Sequence, residues 1–249
     1  MVDLPSVPQP IELTRDTIRA GTVIELAHAS GLRVLTDEER AQSIARTLAS
    51  RPGRAASADE AAVASAGAGS AGDLWLFGYG SLLWNPAFHF AEQRKGRVQG
   101  WHRRFCLWTP LGRGSPERPG LVLGLERGGA CTGMAFRLAS DQVAGELDII
   151  WRREMLSGAY RPRWVRVATD EGLVDAVTFT IDQANPRYAG RLGEDEIVDV
   201  VATAVGRLGP CTDYLFKTVD ALAELGLRDP VLRRLKRRVE ARLGATGGT

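Results

Sequence analysis

Short apolar segments separated by polar turns fill the chain from residue 74 onward, the pattern of a β-rich domain. Six strands are predicted, at 74–79, 97–109, 121–126, 131–138, 163–169 and 173–181. Glycine-containing turns at 127–130 and 170–172 predict that the last four form two hairpins. Consecutive strands of this length favour a small closed barrel or a strongly curled sheet within an α+β fold.

Helical periodicity and capping residues predict four helices in the same region. The first begins at Ser140, a favourable N-cap, and closes near Gly158. The next two cover 194–207 and 212–225, and the last starts at Asp229-Pro230, an N-cap followed by proline at the first helical position.

Residues 1–73 differ from this main domain and form an N-terminal extension. They contain one predicted helix, at 36–50, followed by an Ala-, Gly- and Ser-rich stretch at 51–73 that has few large side chains to bury and is interpreted as a flexible linker. Three roles stay open for the extension: packing on the main domain, docking a partner, or a loosely ordered tail. The predicted boundaries are 1–73 for the extension, 74–243 for the main domain and 244–249 for a tail.

Composition is that of a globular protein, with 44% hydrophobic residues, 25% charged residues and a formal net charge of +2. This near-neutral charge gives no reason to expect nucleic acid or an anionic membrane as a partner. Three separated cysteines exclude a disulfide framework and a CxxC metal site, and three histidines show no metal-ligand spacing. We therefore expect a cytoplasmic protein without a metal, a cofactor or a membrane-spanning segment.

One carboxylate falls on an apolar helical face. The residues that share this face are Leu147, Ile150, Trp151 and Glu154. By the same helical spacing, Glu146 and Asp148 can point to water, and Arg152 and Arg153 project elsewhere around the helix. Burial and the negative end of the helix both raise the pKa of a carboxyl at position 154, which suits a general base near neutral pH. The alternative is a structural ion pair with Arg103, Arg104 or Arg166 across the core.

A glycine-rich loop follows the first strand, with Gly78, Tyr79, Gly80, Ser81, Leu82 and Leu83 in succession. It lacks the third glycine of a dinucleotide fingerprint and the Gly-Lys of a P-loop. Consecutive N–H groups after a strand can still form an anion-binding nest for a carboxylate or a polarised carbonyl oxygen. The alternative is a simple β-turn.

Six ordered motifs resemble the ChaC family of γ-glutamylcyclotransferases over residues 74–243. They are FGYGSLLW (77–84), GWHRRFCLWT (100–109), PGLVLGLERGG (119–129) followed by TGMAFRL, WRREMLSGAY (151–160), NPRYAG (185–190) and GPCTDYL (209–215). The resemblance implies a closed mixed barrel with flanking helices. It also implies that the loop at 78–83 binds a γ-glutamyl head group and that Glu154 is the catalytic acid/base.

The reaction that the resemblance implies is cleavage of glutathione to 5-oxoproline and Cys-Gly, without a cofactor. Tyr188 and Tyr214 are further candidates for binding the substrate. A small-molecule substrate, glutathione or a related γ-glutamyl peptide, is then the expected partner of a monomer or weak dimer. Two alternatives stay open: another γ-glutamyl peptide or amine as the substrate, and a non-catalytic binding module that acts through the extension or the Arg-rich last helix.

Overall fold

The structure, a computed structural model, describes residues 10–52 and 72–246. Most of the predicted linker lies outside these ranges. The helices are α1 (Arg15–Arg19), α2 (Thr22–Ala29), α3 (Asp37–Ala49), α4 (Val143–Glu154), α5 (Glu194–Thr203), α6 (Cys211–Glu224) and α7 (Pro230–Thr246). The strands are β1 (Leu74–Gly78), β2 (Glu92–Thr109), β3 (Gly120–Leu138), β4 (Tyr160–Thr169), β5 (Gly172–Ile181), β6 (Val205–Gly206) and β7 (Gly209–Pro210).

A closed barrel of five strands, in the order β1-β3-β2-β4-β5, forms the centre of the fold. Strands adjacent in this order are antiparallel, and β1 and β5 pair in parallel and close the barrel, for example Trp75 with Ala176. One further parallel pairing joins β3 to β5 at Leu125 and Thr180. The expected mixed, closed barrel with flanking helices is therefore confirmed. The predicted hairpin around 170–172 is also confirmed, as the turn between β4 and β5.

The predicted hairpin at 127–130 is wrong, because β3 runs through that stretch as one strand paired with β2. Gly128 and Gly129 have positive φ angles of 103° and 63°, and Gly100 opposite them has 78°. These glycines form an irregularity where the register shifts between Gln99 and Trp101, so they bend two long strands around the barrel instead of reversing the chain. Two predicted strands are thus one, and the barrel has five strands instead of six.

Two helix boundaries also differ from the prediction. Helix α4 has Gln142 at its N-cap, while the Ser140 N–H donates to Asp73 Oδ1 at 3.0 Å, and the helix ends at Glu154, before Gly158. Helix α5 ends at Thr203 because the next residues form the β6–β7 hairpin. The start of α7 is as predicted, since the Leu232 N–H donates to Asp229 Oδ1 at 3.0 Å.

Two apolar layers cover the barrel. Helices α5, α6 and α7 bury residues such as Val201, Leu215 and Val239 against one side. Helices α1, α3 and α4 pack on the other side around Trp151 and Phe179. Three free cysteines are buried within the structure, Cys106, Cys131 and Cys211. Burial raises the pKa of Cys106 to about 12 and of Cys211 to about 11, and it also raises the pKa of Cys131.

The described part of the extension packs on the main domain. Helix α3 begins at a Thr36 capping box, and its Ser43 Oγ accepts a hydrogen bond of 3.0 Å from Trp151 Nε1. Trp164 Nε1 donates to Thr47 O at 2.7 Å. Of the three roles left open for the extension, residues 10–52 thus fulfil the first.

A buried ion pair fixes the extension to α4. The Glu146 side chain, predicted to face water, is only 5% exposed and accepts hydrogen bonds from both terminal nitrogens of Arg15 and from the His89 N–H. Burial acts to raise the pKa of Glu146, but Arg15 and the His89 N–H together lower it below its usual value. The outward prediction is wrong because helical periodicity alone does not reveal a cation that another segment supplies.

Replacing Arg15 tests this anchor. Arg15→Met should lower the free energy of unfolding by about 2 kcal/mol, less than for a fully buried pair because Arg15 keeps some contact with water. Since the folded-state pKa of Glu146 is lowered, the stabilisation is present at neutral pH and disappears as the pH falls through that pKa. Urea unfolding at pH 7 and at acidic pH measures both effects.

Arg33→Met provides the matched control, because Arg33 pairs with Glu39 on the surface. It should change the free energy of unfolding by less than about 0.5 kcal/mol. Equal effects of the two substitutions would show that the Arg15–Glu146 pair does not anchor the extension.

Candidate active site

The glycine-rich loop follows β1 and turns through a short 3-10 helix, Ser81–Leu83. A Cβ atom at Gly78 would lie 3.0 Å from Phe136 and from Leu82 Cβ, and one at Gly80 would lie 2.9 Å from the Tyr214 hydroxyl oxygen. A side chain at either position would therefore have to displace a neighbouring group.

Of the four N–H groups from Gly80 to Leu83, three remain available to a ligand. The Leu83 N–H donates to Gly80 O at 2.9 Å, so it is already used. Within the described ranges, the N–H groups of Gly80, Ser81 and Leu82 have no protein acceptor. Ser81 lines a large cleft directly, whereas Leu82 is buried beneath it.

Glu154 is the last residue of α4 and lies in the wall of the same cleft. Its side chain is 14% exposed, and desolvation raises the pKa of its carboxyl above the usual value, although the nearby Arg153 opposes this shift. The arginines Arg103, Arg104 and Arg166 pair instead with Asp229, Glu126 and Asp175. The alternative of an ion pair with one of these three arginines is therefore wrong.

Arg153 joins Glu154 to the glycine-rich loop. Its Nε lies 3.0 Å from Glu154 Oε1, and its Nη2 donates to Ser81 Oγ at 2.8 Å. Its Nη1 donates to the carbonyl oxygens of Asn85 and Pro86, just beyond the loop. The expectation that Arg153 projects away from Glu154 is wrong. The Cβ atoms of adjacent helical residues do diverge by about 100°, but the long arginine side chain bends back towards its neighbour.

Three tyrosines lie near the carboxylate, of which Tyr79 and Tyr214 are buried and Tyr160 is half-buried. The Tyr79 hydroxyl donates to Phe179 O at 2.7 Å, and the Tyr160 hydroxyl donates to Leu123 O at 2.7 Å. Burial raises the pKa of Tyr79, Tyr160 and Tyr214, and the charge of Glu154 raises each of them further. These hydroxyls stay protonated at neutral pH and can act as hydrogen-bond donors.

The two predicted tyrosines have different positions. Tyr214 lines the cleft, and its hydroxyl oxygen accepts a 3.3 Å hydrogen bond from the Leu123 N–H. Tyr188 does not line the cleft; its hydroxyl donates to Glu126 Oε1 at 2.6 Å, and its ring packs near Cys106. Tyr160 and Arg153, which the residue-by-residue analysis missed, both lie in the motif WRREMLSGAY around Glu154.

The cleft has a volume of about 970 Å³ and combines elements from distant parts of the chain. Ser81, Glu154 and Tyr214 all line it, and Arg113 from the loop between β2 and β3 contributes a buried guanidinium. Residues 10–15 of the extension form another part of the wall.

Neither a metal site nor a membrane span is evident in the described ranges. No cluster of three or more His, Cys, Asp or Glu side chains there is suited to hold a metal ion. Likewise, none of the helices described is long and apolar enough to cross a bilayer.

Comparison with known proteins places this geometry in a family. The family model for ChaC-like proteins matches residues 74–242. The glutathione-specific γ-glutamylcyclotransferase of Escherichia coli K12 is 41% identical over 199 residues, covering 80% of this chain and 79% of that protein. This alignment is longer than the 176 residues from 74 to 249, so it includes part of the extension.

More distant relatives have names that describe the same type of enzyme. The human glutathione-specific γ-glutamylcyclotransferase 1 is 33% identical, covering 61% of this chain and 71% of the human protein. A crystal structure of a yeast γ-glutamylcyclotransferase specific to glutathione has the same fold, with a TM-score of 0.65 at 20% identity, over 69% of this chain and 97% of the yeast chain. The chain therefore belongs to the ChaC family of γ-glutamylcyclotransferases.

Proposed function

We propose that the protein cleaves glutathione into 5-oxoproline and Cys-Gly. The observation that carries this proposal is the Arg153 bridge, which holds the Glu154 carboxylate and the Ser81 loop in one cleft. The E. coli and human relatives are named for this reaction, which supports glutathione as the substrate.

The reaction begins with removal of a proton. The α-amine of the substrate can reach its own γ-carbonyl carbon and close a five-membered ring, so proximity is built into the substrate. This amine is largely protonated at neutral pH because its pKa is about 8 or higher. Glu154, whose pKa is raised by burial, accepts this proton and frees the lone pair for attack.

Ring closure then expels the peptide. A bond forms between the α-nitrogen and the γ-carbon, and the carbonyl oxygen becomes negatively charged. The available N–H groups of the loop from Gly80 to Leu82 hold the head group and stabilise this oxyanion. The bond to the cysteinyl nitrogen breaks as that nitrogen takes the proton held by Glu154. Glu154 then transfers the second proton of the ring nitrogen to the released amine, so that both protons are accounted for and no water is consumed.

Arg153 has a positioning role in this scheme. It fixes the Glu154 carboxylate relative to Ser81 and limits how far burial can raise the Glu154 pKa. Tyr214 stands beside Gly80 and is proposed to donate to the head group. Tyr188 has no role here, because its hydroxyl is engaged by Glu126 outside the cleft.

Glu154→Gln tests the catalytic proposal. The amide has nearly the same shape but cannot accept the proton, so release of 5-oxoproline from glutathione should fall by about 10²- to 10⁴-fold. Chromatographic assay of 5-oxoproline measures the loss, and the melting temperature checks that the variant is folded. Turnover at the wild-type level in the variant would remove Glu154 from the mechanism; binding of glutathione without 5-oxoproline in the wild type would favour a binding module.

Gly80→Ala tests the loop. The new methyl group would lie 2.9 Å from the Tyr214 hydroxyl oxygen and should displace one of the two groups, lowering kcat/KM for glutathione about tenfold or more. Gly145→Ala, on α4, is the control because its Cβ would meet nothing within 4 Å. Equal activity of the two variants would contradict the proposed role of the loop.

The pH profile tests the charge balance at Glu154. Because the base must be deprotonated, kcat/KM should decrease on the acidic side with an apparent pKa above 4.5, the usual value for this side chain. Arg153→Met removes the cation that opposes this raised pKa, so the acidic limb should move to higher pH, whereas Arg153→Lys should move it less. Arg166→Met, at a surface pair with Asp175, should leave the limb in place. An unchanged limb in Arg153→Met would show that Glu154 is not the titrating group.

A further inference from the structure

A second cavity adjoins the catalytic cleft and is partly built by the N-terminal extension. Its volume is about 160 Å³, and it shares Glu154, Tyr160 and Leu13 with the cleft. We call this second cavity the side pocket. It lies beside the catalytic carboxylate, so whatever occupies it is attached to, or close to, the reacting bond.

Apolar side chains form most of the walls of the side pocket. The extension supplies Ile18, Val23, Ile24, Leu26 and Leu32, and the barrel side supplies Leu107, Leu111 and Val122, among others. A cavity of roughly 150 Å³ with such walls holds a group the size of benzene. The side pocket therefore suits a short segment of a ligand and is too small for a long peptide.

Two arginines without a carboxylate partner interrupt these apolar walls. Arg207 lies in the β6–β7 turn, and its Nε is buried and has no hydrogen-bond partner among the described residues. Arg187 donates only to Ser157 Oγ and Trp108 O, and burial lowers the pKa of its guanidinium. Both arginines are half-buried, and a partly desolvated cation with unused donors is stabilised when an anion pairs with it.

The lining of the side pocket has an excess of positive charge. Arg152 and Arg153 also line it, but Arg152 is paired with Asp148, and Arg153 with Glu154. Among the described residues that line the side pocket, Glu154 is the only carboxylate. A carboxylate on the ligand would therefore meet the donors that the protein leaves unpaired.

We propose that the side pocket binds the leaving end of the substrate, with its terminal carboxylate at Arg187 and Arg207 and its short side chain or backbone against the apolar walls. This inference rests on the proposed function, and it specifies the substrate class as short γ-glutamyl peptides with a free terminal carboxylate. γ-Glutamyl amines and peptides with a blocked terminus lack the group that the arginines bind. The extension, which forms part of the wall of the side pocket, thereby contributes to the substrate specificity of the enzyme.

The test compares glutathione with its glycinamide analogue, which differs only by an uncharged amide in place of the terminal carboxylate. For the wild type, kcat/KM should be at least about tenfold higher for glutathione, mainly through a lower KM, as expected for loss of a charge-assisted contact. Arg207→Met and Arg187→Met should each bring this ratio close to one by weakening glutathione only. Arg166→Met should preserve the wild-type ratio.

Two results would overturn the proposal: equal kcat/KM for glutathione and the amide in the wild type, or an undiminished ratio in both arginine variants. Since Arg187 also holds Ser157, Arg207→Met decides if Arg187→Met does not fold. Absence of turnover with either peptide in the wild type would instead refute the proposed function. Calorimetric titration of both peptides onto Glu154→Gln then still compares their affinities without turnover.

Discussion

The site depends on keeping a carboxylate and a guanidinium together while both are largely shielded from solvent, at 14% and 5% exposure of their side chains. Desolvation raises the pKa of Glu154, and the positive charge of Arg153 opposes that increase. Arg153 also donates hydrogen bonds to Ser81 and to the carbonyl oxygens just after the loop. Each charge lowers the cost of burying the other, since an unpaired buried charge costs several kcal/mol. The same pair therefore stabilises the end of α4 and aligns the proposed base with the loop.

The barrel provides the rigid frame for this pair. Strand β1 is held between β3 and β5, so the loop that follows it leaves from a fixed point. The hydroxyls of Tyr79 and Tyr160 tie the region to β5 and β3 by donating to main-chain oxygens. The extension adds a further wall, anchored where Arg15 meets Glu146. The candidate cleft is thus assembled from the barrel, α4 and the extension.

Sequence analysis located features that follow from local periodicity. The helical stripe placed Glu154 with Leu147, Ile150 and Trp151, and Asp229 with its proline marked the start of α7. Sequence analysis failed where the position of a side chain depends on a residue far away in the chain. Glu146 is buried because Arg15, 131 positions earlier, pairs with it, and no local pattern contains that information.

The glycines at 128 and 129 were also misassigned because strand pairing with a distant segment decides their structure. The residues at 127–130 have the composition of a turn, yet Gly128 and Gly129 bend a continuous strand because β2 remains paired on both sides of them. The motifs carried more information than the periodicity: Arg153 and Tyr160 lie within the segment around Glu154, although the helical geometry of single positions did not assign them a role. The side pocket depends on packing of the extension, which no motif of the main domain describes.

The burial of the three cysteines has a consequence for a protein proposed to work on glutathione. Exchange between a protein thiol and oxidised glutathione requires an accessible thiolate. Cys106, Cys131 and Cys211 are shielded from solvent, and their raised pKa values keep them protonated at neutral pH. The folded protein can therefore meet high concentrations of its own redox-active substrate without becoming glutathionylated, and its turnover follows the supply of that substrate and not the oxidation state of its own thiols.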